Sequence, residues 1–253
     1  MRPAVFAAVL GFGALLLAGV LSPSGGTVVN GQTNTTHIQD LIDQAQPGDT
    51  VYVEEGTYHE RIVIDKEIAL IGLNDPVIDG SDAGDVVLIE ADGAAISGFV
   101  IRNGGKAISQ EAAGVKVDGA DRVKVTTNRI EDTRFGIYLV NSEANTIAYN
   151  AIDLEPGVDI ARRGYAIYLW AVEQSGIFNN VIANAADGIH LEFSEHNTIG
   201  ENEVRDSRYG LHFMYSDGNK VVSNVFWNNL AGAVNMFSHD TLLKDNAFSA
   251  NRR

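Results

Sequence analysis

Five side chains stand out for the chemistry that their types and spacing allow: His190, Glu192, His212, Met214 and Met236. His190 and His212 are 22 residues apart, as are Glu192 and Met214, and Met214 and Met236. If 22 residues make one turn of a stacked coil, each pair lies side by side, about 5 Å apart. Neutral imidazole, carboxylate and thioether at that distance can chelate a soft or borderline ion, and His combined with Met suits copper. The competing reading is that these are ordinary outward residues, since like side chains stack favourably in any β-solenoid. Tyr138, Tyr168 and Trp170 share the same positions in earlier turns and form either a ligand surface or a sugar-stacking platform. Arg208, with Arg134, Arg162 and Arg163, adds local positive charge at one corner, and plain solvation is the simpler account of such arginines.

What must position these residues is an internal repeat. Segments starting at Gly114, Gly136, Ala166, Gly188, Gly210 and Gly232 carry the same residue types at the same offsets. Fourteen residues after each start stands Asn128, Asn150, Asn180, Asn202, Asn224 and Asn246. Apolar columns flank them: Val125, Ile147, Ile177, Ile199, Val221 and Leu243, then Ile130, Ile152, Ile182, Val204, Phe226 and Phe248. Short β-rich runs at this period predict a right-handed parallel β-helix, all-β, with three short strands per turn. A leucine-rich repeat would need a Leu-dominated consensus that is missing. The Asn column is expected to form a side-chain amide ladder in a bend, the Asn itself taking left-handed backbone. An imperfect earlier copy begins at Asp85, with Ile96 and Ile101 in the apolar columns and Phe99 where Asn is due.

Alternation within the first strand of each turn places Ile137 and Leu139, Ile167 and Leu169, Ile189 and Leu191, and Leu211 and Phe213 inward. The five candidate ligands and the aromatic set point outward. Insertions at 107–113 and about 154–163 fall at the corner just before this strand, where they can wall its outer face. Ser142, Ser194, Ser216 and Ser238 recur at one turn position and read as structure rather than as nucleophiles. There is no phosphate-cradling glycine loop, and no carboxylate pair stands out in adjacent turns.

Ahead of the repeats, the apolar spacing of Ile38 to Ala45 predicts a short amphipathic helix, stopped by Pro47-Gly48 and placed to cover the first turn. Strands are expected at 51–53, 62–64 and 68–71. The chain of 253 residues has net charge -15, 45% apolar residues and no cysteine, which excludes disulfides and thiolate metal sites and argues against nucleic acid as a partner. Such an acidic surface is also halophile-like. Arg2 followed by the uncharged stretch Ala4 to Leu21 reads as an export signal or a membrane anchor, and Asn34-Thr35-Thr36 is a glycosylation sequon. The expected organisation is a signal or anchor at 1–26, a cap helix and first strands at 27–84, and rungs at 85–253 that are open at the C-terminal end.

The run Arg208-Tyr209-Gly210-Leu211-His212-Phe213-Met214-Tyr215-Ser216, with Asn219 and Asn224, resembles the signature rung of the NosD-type nitrous oxide reductase maturation proteins. Gly136-Ile137-Tyr138-Leu139 and the opening segment with Pro47-Gly48-Asp49-Thr50 and Gly56-Thr57-Tyr58 are similar to that family and to other β-helix proteins. The resemblance implies an exported, periplasmic or cell-surface factor. Such a factor helps assemble the copper-sulfur centre of nitrous oxide reductase together with an ABC-type membrane transporter, and is not itself an enzyme. The chain departs from the family by stopping on a repeat boundary where family members carry further rungs. A last rung presenting Val234, Met236 and Phe237 at its edge is therefore expected to aggregate or to pair with another chain. The rival readings are a carbohydrate-binding or polysaccharide-cleaving β-helix, and a passive surface solenoid for adhesion.

Overall fold

A computed structural model describes residues 28–30, 37–107, 111–155 and 157–253. The apolar N-terminal stretch, the sequon and residues 108–110 of the first insertion lie outside the described residues. Every strand pairing is parallel, and the strands stack into sheets of ten, eight and nine strands. This is the parallel β-helix expected from the repeat. Strand pairing follows the sequence period: Ile137 pairs with Ile167, Ile189 with Leu211, and Val221 with Leu243. The ten- and nine-stranded sheets are built mostly of three-residue strands, whereas the eight-stranded sheet has strands of up to nine residues, such as Phe135–Glu143 and Tyr165–Glu173.

The inward columns form one continuous core. Val125, Ile147, Ile177, Ile199 and Val221 are fully buried, as are Ile130, Ile182, Val204 and Phe226. A single turn could bury few of these side chains, so the core arises from stacking. The columns end at Leu243 and Phe248, which are 48% and 46% exposed. Phe248 stacks on Phe226 at 5.1 Å between centroids.

The Asn column is a ladder. Asn128, Asn150, Asn180, Asn202 and Asn224 each donate a backbone N–H to the Oδ1 of the Asn one turn on, at 2.9 to 3.0 Å. Phe99, standing in the column one turn earlier, donates its N–H to Asn128 Oδ1 at 3.1 Å. One expectation is corrected: the left-handed residue is not the Asn. It is the residue before it, Thr127, Tyr149, Asn179, Glu201, Ser223 or Asp245, with φ of 55 to 59°. Turning the chain at that outward residue leaves the Asn side chain pointing into the bend, where its amide meets the next. The repeated serines also serve structure, Ser194 and Ser216 each accepting the backbone N–H one turn earlier.

The glycine that opens most turns is required by close approach rather than by φ. A Cβ on Gly210 would lie 2.5 Å from the Gly232 carbonyl oxygen and 2.8 Å from Phe226 Cδ1. Gly210→Ala is expected to destabilise by about 1–3 kcal/mol, because a core ring and the next strand must both shift. Chemical denaturation checks this, and a midpoint equal to wild type would show that the stack yields freely.

At the other end, the helix Ile38–Gln44 buries Ile38, Leu41 and Ile42 in the core, as its spacing predicts. Its unpaired terminal groups are met by side chains. Glu60 accepts from the Ile38 and Gln39 N–H groups, and Lys66 donates to the carbonyls of Ile42, Asp43 and Ala45. An additional strand, Val28–Asn30, pairs with Thr50–Val53.

Candidate functional site

The outer face of the eight-stranded sheet is a grid whose rows are turns. One column runs Lys116, Tyr138, Tyr168, His190, His212, Val234, and the next runs Asp118, Val140, Trp170, Glu192, Met214, Met236. A third, at the start of the strands, runs Ala113, Phe135, then Tyr165, Asp187, Tyr209, Ala231. The pairings inferred from the repeat therefore hold.

In the column at the start of the strands stands Asp187, fully buried. Its Oδ2 lies 2.9 Å from His190 Nδ1 and 2.8 Å from His212 Nδ1, and its Oδ1 accepts from Arg208 Nη2 at 2.7 Å and Nε at 3.1 Å. The two imidazoles meet edge to face, 4.4 Å between centroids. Sequence reasoning missed Asp187 because its column begins one residue before the alternating pattern. The available signal was an acid in a column otherwise filled by Phe135, Tyr165, Tyr209 and alanines.

The site is not the surface site that outward alternation implies. His190 and His212 are only 3% and 5% exposed. Tyr165 stacks on His190 at 4.8 Å, Tyr168 meets it edge-on at 5.1 Å, and Tyr209 meets His212 at 5.2 Å. Tyr165 and Tyr209 come from the added column, which is how an outward strand position becomes buried. The second insertion ends beside Tyr165 and is tied down there, Arg134 donating to the Arg162 carbonyl and Arg163 to the carbonyls of Val158 and Asp206. Arg208 is not a plain solvated arginine, since it holds Asp187.

Burial alone would push the Asp187 carboxyl up. The hydrogen bonds from His190 and His212 and the Arg208 guanidinium outweigh it and hold the carboxyl well below the ordinary 3.8. A depressed folded-state value contributes stability that is fully present above the unfolded value and is lost as pH falls through the folded one. Wild type should therefore lose stability on acidification below 3.8 partly through this residue. Urea midpoints followed downward from about pH 5 check it: Asp187→Asn should show the shallower acid decline, and parallel declines would remove Asp187 from the effect. The Tyr168 hydroxyl is pushed well above its ordinary value by burial and by its hydrogen bond to Glu192 Oε2, at 2.8 Å.

The residues fit a metal ion on one specific observation. Nε2 of His190 and Nε2 of His212 are both buried and neither has a hydrogen-bond partner. Buried nitrogens are rarely left that way. Ligand atoms of Asp187, His190 and His212 all lie within 4.8 Å of one another, and Glu192 Oε2 stands 3.7 Å from His190 Nε2. Met214 sits half-buried beside Glu192 in register, and Met236 is one turn further along. Tyr138 and Tyr168 are buried with their faces against each other at 4.8 Å, so of the aromatic set it is Trp170 that presents a ring to solvent. Beyond it runs an exposed stack of Phe193, Tyr215 and Phe237, at 5.4 and 5.0 Å between centroids, of which the sequence reading named only Phe237 as exposed.

Fold and site together define a parallel β-helix protein with a buried imidazole pair set on the outside of its longest strands and suited to a metal ion. Residues 55–153 and 154–253 match the family described as periplasmic copper-binding protein (NosD), and the chain belongs to that family. Over 134 residues it is 27% identical to a probable ABC transporter binding protein NosD of Stutzerimonas stutzeri. It is 25% identical over the same length to a protein of that name from Pseudomonas aeruginosa. Each match covers 53% of this chain and 31% of the relative, so the chain matches under a third of their length. Among solved structures, polygalacturonase from Erwinia carotovora superposes with a TM-score of 0.62 at 11% identity, covering 92% of this chain and 81% of the other. Pectate lyase Pel9A superposes with a TM-score of 0.61 at 12% identity, covering 82% and 65%. These two show the fold alone. No helix among the described residues is long and apolar enough to cross a membrane.

Proposed function

We propose that this chain is a non-enzymatic accessory factor in the maturation of nitrous oxide reductase, handling copper for that enzyme's copper-sulfur centre in an extracytoplasmic compartment. The observation that carries the reading is the pair of buried, unpartnered Nε2 atoms of His190 and His212, in a chain of the copper-binding family. Two neutral imidazoles with a carboxylate and a thioether alongside suit copper better than the oxygen-preferring ions. An ABC-type transporter as partner is supported by the relatives' names. Arg208 positions Asp187, and Trp170 with the buried Tyr138 and Tyr168 form the wall beside the centre.

The rival carbohydrate reading rests on folds shared at 11 to 12% identity, and fold does not carry activity. A polysaccharide-cleaving cleft needs carboxylates and cations converging on an open groove. This outer face offers instead covered imidazoles and stacked aromatic rings. Deleting the gene in its host and measuring the copper content and activity of nitrous oxide reductase tests the proposal. Copper-deficient, inactive enzyme is expected, and fully loaded enzyme in the deletion strain would end the maturation reading.

A further inference from the structure

We infer that Asp187 and Arg208 are positioning residues rather than ligands: they fix both imidazoles in the tautomer that leaves Nε2 bare, and the ion binds on the Nε2 side of His190 and His212 with Glu192. This rests on the copper reading for the identity of the ion, though not for the tautomers.

Asp187 faces the Arg208 guanidinium through two of its nitrogens, and a carboxylate paired in that way only accepts hydrogen bonds. Its Oδ2 faces Nδ1 of His190 at 2.9 Å and Nδ1 of His212 at 2.8 Å, so both nitrogens must donate. In a neutral imidazole the proton on Nδ1 leaves Nε2 with its lone pair. The opposite tautomer would break both bonds to Asp187 and bury two Nε2–H donors, and neither Nε2 has a protein acceptor. Binding an ion among Oδ2 and the two Nδ1 atoms would require that arrangement. Arg208 takes the other carboxylate oxygen through two nitrogens, which holds Oδ2 midway between the rings.

On the Nε2 side, Glu192 Oε2 is 3.7 Å from His190 Nε2, and donors bound about 2 Å from a common ion stand roughly 3–4 Å apart. Tyr168 donates to that same oxygen at 2.8 Å, steadying it. A carboxylate behind each ligating imidazole is the usual device for fixing ring orientation and strengthening the donor. Here one carboxylate serves two rings from adjacent turns, because the 22-residue register sets His190 beside His212.

Long-range proton–nitrogen correlation spectra of the 15N-labelled full chain read the ring tautomers directly. Without metal, both His190 and His212 are expected as the Nδ1–H form. Adding Cu(I) should shift both Nε2 resonances and leave both Nδ1 atoms protonated. An Nε2–H form of either ring in the metal-free protein, or loss of an Nδ1 proton on Cu(I) binding, overturns the inference. Asp187→Asn keeps an acceptor against Arg208 only by turning its NH2 to both rings, so both should reverse to the Nε2–H form and Cu(I) affinity should fall roughly 10–100-fold. Unchanged tautomers in a cooperatively folded Asp187→Asn protein also overturn it. Wild type that binds no Cu(I) ends the copper reading instead, while the metal-free tautomers still decide the positioning role.

Discussion

Asn202→Ala is expected to cost about 3–5 kcal/mol of stability, an unusually large loss for one polar residue. Its Oδ1 accepts from both Asn180 N–H and Asn180 Nδ2, each at 2.9 Å. Its Nδ2 donates to the Ile177 carbonyl at 2.8 Å, the Gly200 carbonyl at 3.0 Å and Asn224 Oδ1 at 2.9 Å. Removing the amide strands two donors on Asn180 in a site that is itself fully buried, and each orphaned group costs about 1–3 kcal/mol. Water cannot repair the gap cheaply, because the bend is closed on either side by the rungs above and below. Asn246→Ala is the internal control. Its Oδ1 accepts from the same two groups of Asn224 and its Nδ2 donates to the Val221 carbonyl at 2.8 Å, but it is half-buried, so water can replace it and its loss should cost about 1 kcal/mol. Urea denaturation at constant m separates the two, and equal midpoints would mean that the ladder is decoration on a core that stands without it.

The same ladder shows how far the sequence could be read. Period alone located every rung from Gly114 onward, since Asn at each fourteenth position and Ile or Val around it repeat without exception until the aromatic rungs. Alternation then gave the correct inward set, because a strand whose side chains alternate has only two faces. The corner conformation was not legible. Left-handed backbone favours Asn in general, but the left-handed position holds Thr127, Tyr149, Asn179, Glu201, Ser223 and Asp245, a set with no common type. Only the demand that the neighbouring amide point inward explains it. The site was half legible for a related reason. His190, Glu192, His212 and Met214 follow from register, whereas Asp187 and the covering rings of Tyr165 and Tyr209 sit one residue before each rung's start. That offset breaks alternation: Gly188 and Ile189 both face inward, a Cβ on Gly188 lying 2.2 Å from Cγ1 of the core residue Val204, so Asp187 faces out and reaches His190 three residues on.

The double variant His190→Ala, His212→Ala is expected to abolish tight copper binding, lowering affinity by more than the roughly 10–100-fold that loss of an orienting partner costs. Both Nε2 atoms go with it, and Glu192 with Met214 alone makes a poor chelate. The fold should survive, since Arg208 still meets Asp187 through two nitrogens and the inward residues of both strands are untouched. Cooperative melting of the variant is therefore part of the expected result. Met214→Leu, similar in volume, keeps the imidazole pair and should lose far less copper affinity. That ordering separates a centre built on the buried imidazoles from one built on the half-buried thioethers, which the register alone makes equally plausible. Copper bound as tightly by the double variant as by wild type would move the binding site off the imidazole pair. The buried Nε2 atoms would then need another explanation, and the aromatic cover over His190 would be packing and nothing more.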